Sequence, residues 1–557
     1  QRRGASCRVI EAAGLAAALV GGCRGVVHCA GLDATGFEAT TPETLVADVE
    51  RGTLGAIAAA RTIVAGNLRD PPRLVLVTRG VQIGAGGPAG TGGASGRVAV
   101  AQAPMWGMGR TLALEHPELE CLRVDLPASA WAGEIAALVD ELLAGDEETE
   151  VALRPEGRFV ARMVRAELAA AEPVLVADAT YLLTGGLGGL GLALARWLAQ
   201  HGARELVLVG RAAPRADQRA AIAGIEAAGA RVHVMQADVA DAGEAARVIA
   251  EVQARLPGLR GVIHAAAVIE DRTVARMTAA EFWAPVRPKL LGAWNLHAAT
   301  RGIPLDFFVM YSSLAALLGS LGQAAYAAGN AFLDALARAR AAEGLPGTAV
   351  QWGPHADVGM TTALGDGGAR LASHGLEHFT PAEGSALFGR VVARAAVEVA
   401  LVRFSLRRWL ETTPQMSGSR FLAELPAEGG AEADAGGRAA IERAPAGERR
   451  PLLAAHVARE LGRVLRMAPE KIGRTTPFTR LGLDSLMSLE TRNRLERSLG
   501  LRLAPTLCFT YTDADSLTEF LAGELGLVDE ADEADDDDDV LARFDESMRA
   551  LAGDGAA

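Results

Sequence analysis

Short apolar runs rich in Val, Leu and Ile recur through about the first 410 residues, and between them lie longer stretches whose Ala and Leu fall at helical spacing. The runs Tyr181-Leu182-Leu183, Glu205 to Val209, Val232-His233-Val234, Gly261-Val262-Ile263 and Phe307 to Tyr311 read as strands of one doubly wound sheet. A second set lies upstream at Gly25-Val26-Val27, Arg73 to Val77 and Cys121 to Val124. Continuous apolar strands alternating with amphipathic helices predict parallel α/β architecture, because each strand is covered on both faces.

The two sets look like copies of one fold. RGVVHCAG at 24–31 reads against RGVIHAAA at 260–267, LVLVT at 74–78 against FFVMYS at 307–312, and QAPMWGMG at 102–109 against QAAYAAGN at 323–330. Three matches in the same order, at offsets of about 220 to 236 residues, predict a duplication. In the later copy 86 residues separate Asp178 from His264, whereas 27 precede the matching His28, so the first copy is expected to lack its opening strands and the chain to be part of something longer.

Beyond Pro414 the pattern changes. Gly, Ala, Glu and Pro dominate to about Arg450, which predicts a linker in which Phe421-Leu422 alone suggests a docked segment. From Pro451 to Leu527 the apolar positions keep helical spacing without a strand, as expected of a small all-α bundle. Between Asp529 and Asp539 nine of eleven residues are acidic, and Val540, Leu541, Phe544, Met548 and Leu551 then form one helical stripe.

Length and charge narrow the function. A chain of 557 residues predicts several domains. No apolar run approaches the roughly 18 residues that a membrane-spanning helix needs, and the N-terminus lacks the layout of a signal peptide, so a soluble cytoplasmic protein with no membrane partner is expected. The acidic run carries −9 of the net −13, and the remainder offers no basic footprint for nucleic acid. Five cysteines without a C-x-x-C pair predict core thiols, with neither disulfides nor a metal site.

Candidate chemistry concentrates in the later copy. YLLTGGLGGLG at 181–191 places Gly186, Gly188 and Gly191 as G-x-G-x-x-G between a strand and a helix, where backbone can approach a pyrophosphate. Arg211 follows the next strand where an acid usually receives the ribose hydroxyl of NAD, and a guanidinium there suits the 2′-phosphate of NADP. Asp238 after the third strand is placed to meet the adenine, and equally to cap a helix. Ser313 ends the strand Phe307 to Tyr311, Tyr326 and Asn330 share one helical face, and Lys289 precedes them on another helix. A phenol of pKa near 10 becomes a useful acid when a cation in reach lowers it, as Lys289 would. Together these residues describe a hydride-transfer site.

At these residues the chain resembles a known family. Residues 173–413 are similar to the catalytic half of the ketoreductase domain of modular type I polyketide synthases, within the short-chain dehydrogenase superfamily. Ser313 and Tyr326 stand thirteen apart, Asn330 follows the tyrosine by four, and Lys289 lies in the preceding helix, a swap typical of this family. The resemblance implies Tyr326, Ser313, Lys289 and Asn330 as the catalytic set. It also implies NADPH as cofactor, held by Gly185, Gly186, Leu187, Gly188, Gly191, Arg211, Asp238, Val239, Ala265 and Ala266. Residues 1–172 resemble the domain's truncated structural half, in which Met105 and Gly109 stand where Tyr326 and Asn330 would. Ile269-Glu270-Asp271 matches, with Glu for the central Asp, the motif of members that give a D-hydroxy product, and Leu318 stands where the L group carries tryptophan.

LGLDSLMSLETRNRLERSLG at 481–500 is compatible with a simple capping serine after Asp484, but the full match and the following LAPTLCFTYTDADSLTEFLAGEL resemble an acyl carrier protein, 451–527. That resemblance implies 4′-phosphopantetheine on Ser485, added by a phosphopantetheinyl transferase. The absence of G-x-S-x-G argues against an acyltransferase or thioesterase in this stretch, and Pro173 follows Arg165 too closely for an inserted enoylreductase. The expected activity is therefore reduction of a β-ketoacyl thioester on the chain's own carrier. The expected partners are upstream condensing and acyltransferase domains, a dimeric full synthase, and a downstream subunit docked by the tail at 528–557. The rival expectation is a carrier and docking scaffold with a silent reductase.

Overall fold

The computed structural model describes residues 6–82, 98–168, 173–356, 375–394, 396–413, 416, 418–425, 436–465, 467–504 and 506–527. The chain divides into two compact units, Gln1–Glu428 and Gly429–Ala557. The tail from 528 onward, with its acidic run and helical stripe, lies outside the described residues.

Among the described residues two large sheets build the first unit, in addition to one short antiparallel pair of Leu376–Glu377 with Arg403–Phe404. The first comprises β1 (Gly25–His28), β2 (Arg73–Arg79), β3 (Leu122–Leu126), β4 (Glu150–Arg154) and β5 (Gly157–Val160) in that order, parallel except for the β4–β5 hairpin. The second comprises β6 (Thr180–Thr184), β7 (Glu205–Gly210), β8 (Arg231–Gln236), β9 (Leu259–His264), β10 (Phe307–Ser313), β11 (Thr348–Trp352) and β12 (Glu398–Leu401). Its strands are all parallel in the order β12-β11-β10-β9-β6-β7-β8. Strand order reverses between β6 and β9, which opens a crevice at the strands' C-terminal ends, where ligands of such sheets bind. Every residue of β3, β6 and β11 is buried; β6 and β11 accordingly carry no charged residue, while the charged Arg123 and Asp125 of β3 are paired with Glu150 and Arg154.

The duplication is visible in the topology. β1-β2-β3-β4 repeat the order and direction of β9-β10-β11-β12, with His28 ending β1 as His264 ends β9. The halves meet through α1 (Pro104–Glu115) and α4 (Ala324–Ala342), the helices that hold the matched QAPMWGMG and QAAYAAGN segments. Small residues let them approach closely: a Cβ on Gly107 would stand 2.2 Å from the Ala327 carbonyl oxygen. On its other side α4 packs against α3 (Ala279–Thr300), where a Cβ on Gly329 would lie 3.5 Å from the Lys289 side chain. A reciprocal cap between Thr278 and Glu281 starts α3.

In the second unit α5 (Gly436–Arg443), α6 (Ala446–Leu465), α7 (Ser485–Leu499), α8 (Leu507–Thr510) and α9 (Ala514–Glu524) surround one core with Leu453, Val457, Leu461, Leu495, Leu499, Leu517 and Leu521.

Two sequence expectations change here and one holds. Residues 436–450 are helical and belong to this bundle instead of a linker, because Ile441 is 3% exposed and anchors α5 in the core. Phe421-Leu422 is docked as expected: Leu422 is buried with Trp409 and Leu318, and the Met163 amide donates to the Phe421 carbonyl at 2.7 Å. The cysteines are free, but only Cys121 and Cys508 are core thiols, since Cys7 and Cys29 are exposed on the outermost elements of the first half and Cys23 is half-buried.

Candidate active site

The glycine loop joins β6 to α2 (Gly189–Gln200), with Gly188 at the helix N-cap. Gly185 has φ +68°, and a Cβ there would stand 2.8 Å from the Ala265 carbonyl carbon and 2.9 Å from the Ala266 nitrogen. A Cβ on Gly191 would stand 2.4 Å from the Gly185 carbonyl oxygen. The loop therefore folds flat against the end of β9 with room for backbone alone, while the first turn of α2 keeps amides for an anion. Gln218 fixes its tip by donating to the Leu187 carbonyl at 2.8 Å, and Leu187 in turn packs over Gly210 beside Arg211. Arg211 is exposed at the end of β7. Asp238 is exposed and accepts from the Ala240 amide at 3.0 Å, whereas the following helix is capped by Asp241, so helix capping does not account for Asp238. Val239 is buried, and its carbonyl accepts from Asn295 at 3.0 Å. All of these residues stand at the C-terminal edge of the sheet on both sides of the reversal, and they fit a dinucleotide.

Beside this cradle β10, α3 and α4 bring four side chains together. Ser313 ends β10 and also caps the short helix Leu314–Leu318, its Oγ accepting from the Ala315 amide at 3.2 Å. Tyr326 is 7% exposed, and the Ser313 and Asn330 side chains act on its phenol, drawing its pKa down against burial. Lys289 is 2% exposed; its Nζ donates to the Tyr311 carbonyl at 2.9 Å and lies 5.2 Å from the centre of the Tyr326 ring. Asn330 donates to the Tyr326 carbonyl at 2.8 Å, and its buried Oδ1 has no protein partner. Ile269 packs against the small cluster formed by Ala315, Tyr326 and Ala327.

Burial reverses one electrostatic expectation. The phenol is not lowered overall: desolvation, the largest influence, pushes the Tyr326 pKa above its ordinary 10, although the Ser313 and Asn330 side chains oppose it. The same desolvation lowers Lys289 from 10.5 to about 7, against a contrary pull from Asp334. The phenol thus stays protonated at neutral pH, as a proton donor requires. Behind the site, buried His264 holds Thr184 through Nδ1 at 2.7 Å and is kept neutral, its pKa lowered to about 3 by burial and by Lys289. The sequence carried that pair only as the repeated histidine of the two matched segments.

In the first half the equivalent place is filled. Register through RGTLGA at 51–56 and PKLLGA at 288–293 puts Gly52 where Lys289 stands. The Met105 methyl lies 2.8 Å from where a Cβ on Gly31 would be and 3.2 Å from one on Gly52. A thioether thus occupies the space that holds a lysine and a phenol in the second half.

In the helical unit Asp484 caps α7, accepting from the Met487 amide at 2.8 Å. Ser485 is the first helical residue, so the capping role belongs to its neighbour.

A doubly wound parallel sheet with a glycine loop and a Ser, Tyr, Lys and Asn cluster at one crevice defines a dinucleotide-dependent reductase of the short-chain dehydrogenase type. The family profile described as KR domain matches residues 179–357. The profile of the Rossmann fold domain of polyketide synthase extender module SpnB matches 5–163, and that of the phosphopantetheine attachment site matches 455–521. Among solved structures, an A1-type ketoreductase is 30% identical with TM-score 0.65, covering 75% of this chain and 86% of its own. The first ketoreductase of the tylosin polyketide synthase is 31% identical with TM-score 0.62, covering 74% and 85%. Among curated proteins, a subunit of the phenolphthiocerol/phthiocerol polyketide synthase of Mycobacterium tuberculosis is 36% identical over 385 residues. Polyketide synthase GfsA of Streptomyces halstedii is 35% identical over 459 residues. These matches cover 68% and 79% of this chain but 17% and 6% of the respective relatives. The chain belongs to the ketoreductases of modular polyketide synthases and continues into a phosphopantetheine-type carrier. No helix among the described residues is long and apolar enough to cross a membrane.

Proposed function

We propose that this chain reduces the β-ketone of an acyl thioester carried on the phosphopantetheine arm of its own Ser485, within a polyketide synthase. The observation that carries the reading is the meeting of Lys289, Ser313, Tyr326 and Asn330 beside the flat glycine loop. NADPH would be held by Gly185, Gly186, Leu187, Gly188 and Gly191 at the pyrophosphate, Arg211 at the 2′-phosphate, Asp238 and Val239 at the adenine, and Ala265 and Ala266 along the ribose. When bound it supplies the hydride for the ketone carbon. The chain's residues handle the oxygen: Ser313 orients it by hydrogen bonding, and the Tyr326 phenol gives it a proton as the carbonyl π pair becomes an O–H bond. The resulting phenolate is stabilised by the Lys289 ammonium and regains a proton by way of Lys289 and Asn330. The product is assigned the D configuration, because Leu318 stands in place of tryptophan and Ile269-Glu270-Asp271 resembles, with Glu for the central Asp, the motif of members that give the D alcohol.

A phosphopantetheinyl transferase loads Ser485, upstream condensing and acyltransferase domains of a dimeric synthase supply the chain, and the acidic tail docks a downstream subunit. The test uses the full chain with NADPH and a small β-ketothioester, following loss of nicotinamide absorbance and separating the alcohols by chiral chromatography. Turnover to the D alcohol is expected. No turnover would leave a carrier and docking scaffold with a silent reductase, and an L alcohol would overturn the configuration. Arg211→Glu is expected to abolish the preference for NADPH over NADH, and a retained preference would remove Arg211 from the site.

A further inference from the structure

Glu115, the last residue of α1, belongs to the half with no catalytic set, yet it is fully buried and both its carboxylate oxygens face the catalytic half. Oε2 accepts from the Val274 amide at 2.7 Å across 159 residues of sequence, and Oε1 accepts from the Gly322 amide at 2.9 Å across 207. The two segments it joins flank Tyr326. One contains Ile269, which packs on the cluster of Ala315, Tyr326 and Ala327, and Asp271; the other runs from Ser313 through Leu318 to Gln323. They are also tied directly, by the Arg272 amide to the Gly322 carbonyl at 2.6 Å and by Gln323 Nε2 to Asp271 at 3.0 Å.

Two neighbours on α1 act in the same direction. Thr111 Oγ1 accepts from the Ser320 amide at 3.2 Å, and Arg110 donates to the Ala316 carbonyl at 2.5 Å while Glu150 holds its other side at 2.7 Å. Along 314–323 the span between Ser313 and Tyr326 is thus fastened at three points to a helix of the other half. Gly319 and Gly322, both at φ +76°, allow the sharp turns this requires.

We propose that Glu115 is a positioning residue for ketone reduction, fixing the two backbone segments that wall the tyrosine and so the face on which the ketone is presented. A carboxyl group suits this place because each of its oxygens accepts from one amide; burial raises its pKa from 4.5 to about 7 against the pull of those two amides and of His116, and the bonds to its ionised form are the strong kind. Glutamine keeps the size but offers one acceptor and turns an N–H₂ toward a donor, so it leaves one amide unsatisfied. The noncatalytic half then contributes to selectivity, although it supplies none of the Ser, Tyr, Lys and Asn set.

This inference rests on the proposed reductase activity, and the test separates the two. In Glu115→Gln, measured where the protein is folded by circular dichroism, amide exchange at Val274 or Gly322 should accelerate about 10- to 100-fold, the loss of one charge-assisted bond. KM for the ketothioester should rise, the minor alcohol should increase, and the dissociation constant for NADPH should stay at its wild-type value. Thr111→Val, which removes one weaker contact, should change the alcohol ratio in the same direction and by less. A merely structural role would lower the thermal midpoint while leaving the alcohol ratio and KM unmoved, and that result overturns the proposal. So does unchanged amide exchange, a reading that holds even if the wild-type chain shows no turnover and the reductase function itself falls. If Glu115→Gln fails to fold, Thr111→Val alone decides, and a wild-type alcohol ratio in it counts against the proposal.

Discussion

Lys289 and Tyr326 begin from nearly equal ordinary pKa values, 10.5 and 10, and burial separates them, lowering the cation to about 7 and raising the phenol. Because the folded pKa of Lys289 lies below its unfolded value, the lysine lowers stability fully below about pH 7, and that loss is relieved as pH rises toward 10.5. Activity runs the other way, since the phenolate formed at proton transfer needs the cation. In the free enzyme kcat/KM for ketone reduction should therefore fall as pH rises through about 7, and a profile flat from pH 6 to 9 would contradict this. Tyr326→Phe removes the donor without disturbing the cradle. It should reduce kcat by about 10²- to 10⁴-fold while NADPH binding, followed by nicotinamide fluorescence, stays unchanged.

At the scale of elements, the reductase depends on how closely helices pass. A methyl group on Gly107 would stand 2.2 Å from the Ala327 carbonyl oxygen and 2.9 Å from the Ala331 Cβ, so Gly107→Ala must push α1 away from α4. A destabilisation of about 1–3 kcal/mol is expected, the usual cost of overpacking, read as a lower urea midpoint. Reduction should weaken with it, because α4 carries Tyr326 and Asn330. Strands and glycine loop were legible in the sequence because fully covered parallel strands write continuous apolar runs, and because G-x-G-x-x-G falls between a strand and a helix. The bundle's first helix was not: GGRAAIER looks like linker composition, and a single buried Ile441 makes it part of the core. Glu115 was hidden for another reason. A glutamate ending an amphipathic helix reads as solvated, and its two partners are backbone amides, which carry no residue signature.

The whole molecule joins a reductase unit to a carrier unit, and the tail outside the described residues adds charge. Nine acidic residues between Asp529 and Asp539 suit steering toward a basic segment on another synthase subunit, and steering of that kind is screened within about 10 Å at 0.1 M salt. Deleting 528–557 should leave reduction on the carrier unchanged while slowing acyl transfer downstream, most strongly at low salt. Equal transfer rates at micromolar concentration would remove the tail from docking. The fit of α1 to α4 has a consequence for descent. A crossover that joined the first half of one synthase's reductase to the second half of another would bring together a Gly107 and an Ala327 that never evolved in contact, along with an unmatched Glu115. Most such hybrids would be poorly seated at birth and lost. The residues from β1 to β12 should therefore be inherited, and are best transplanted by an engineer, as one indivisible block, including the half that does no chemistry.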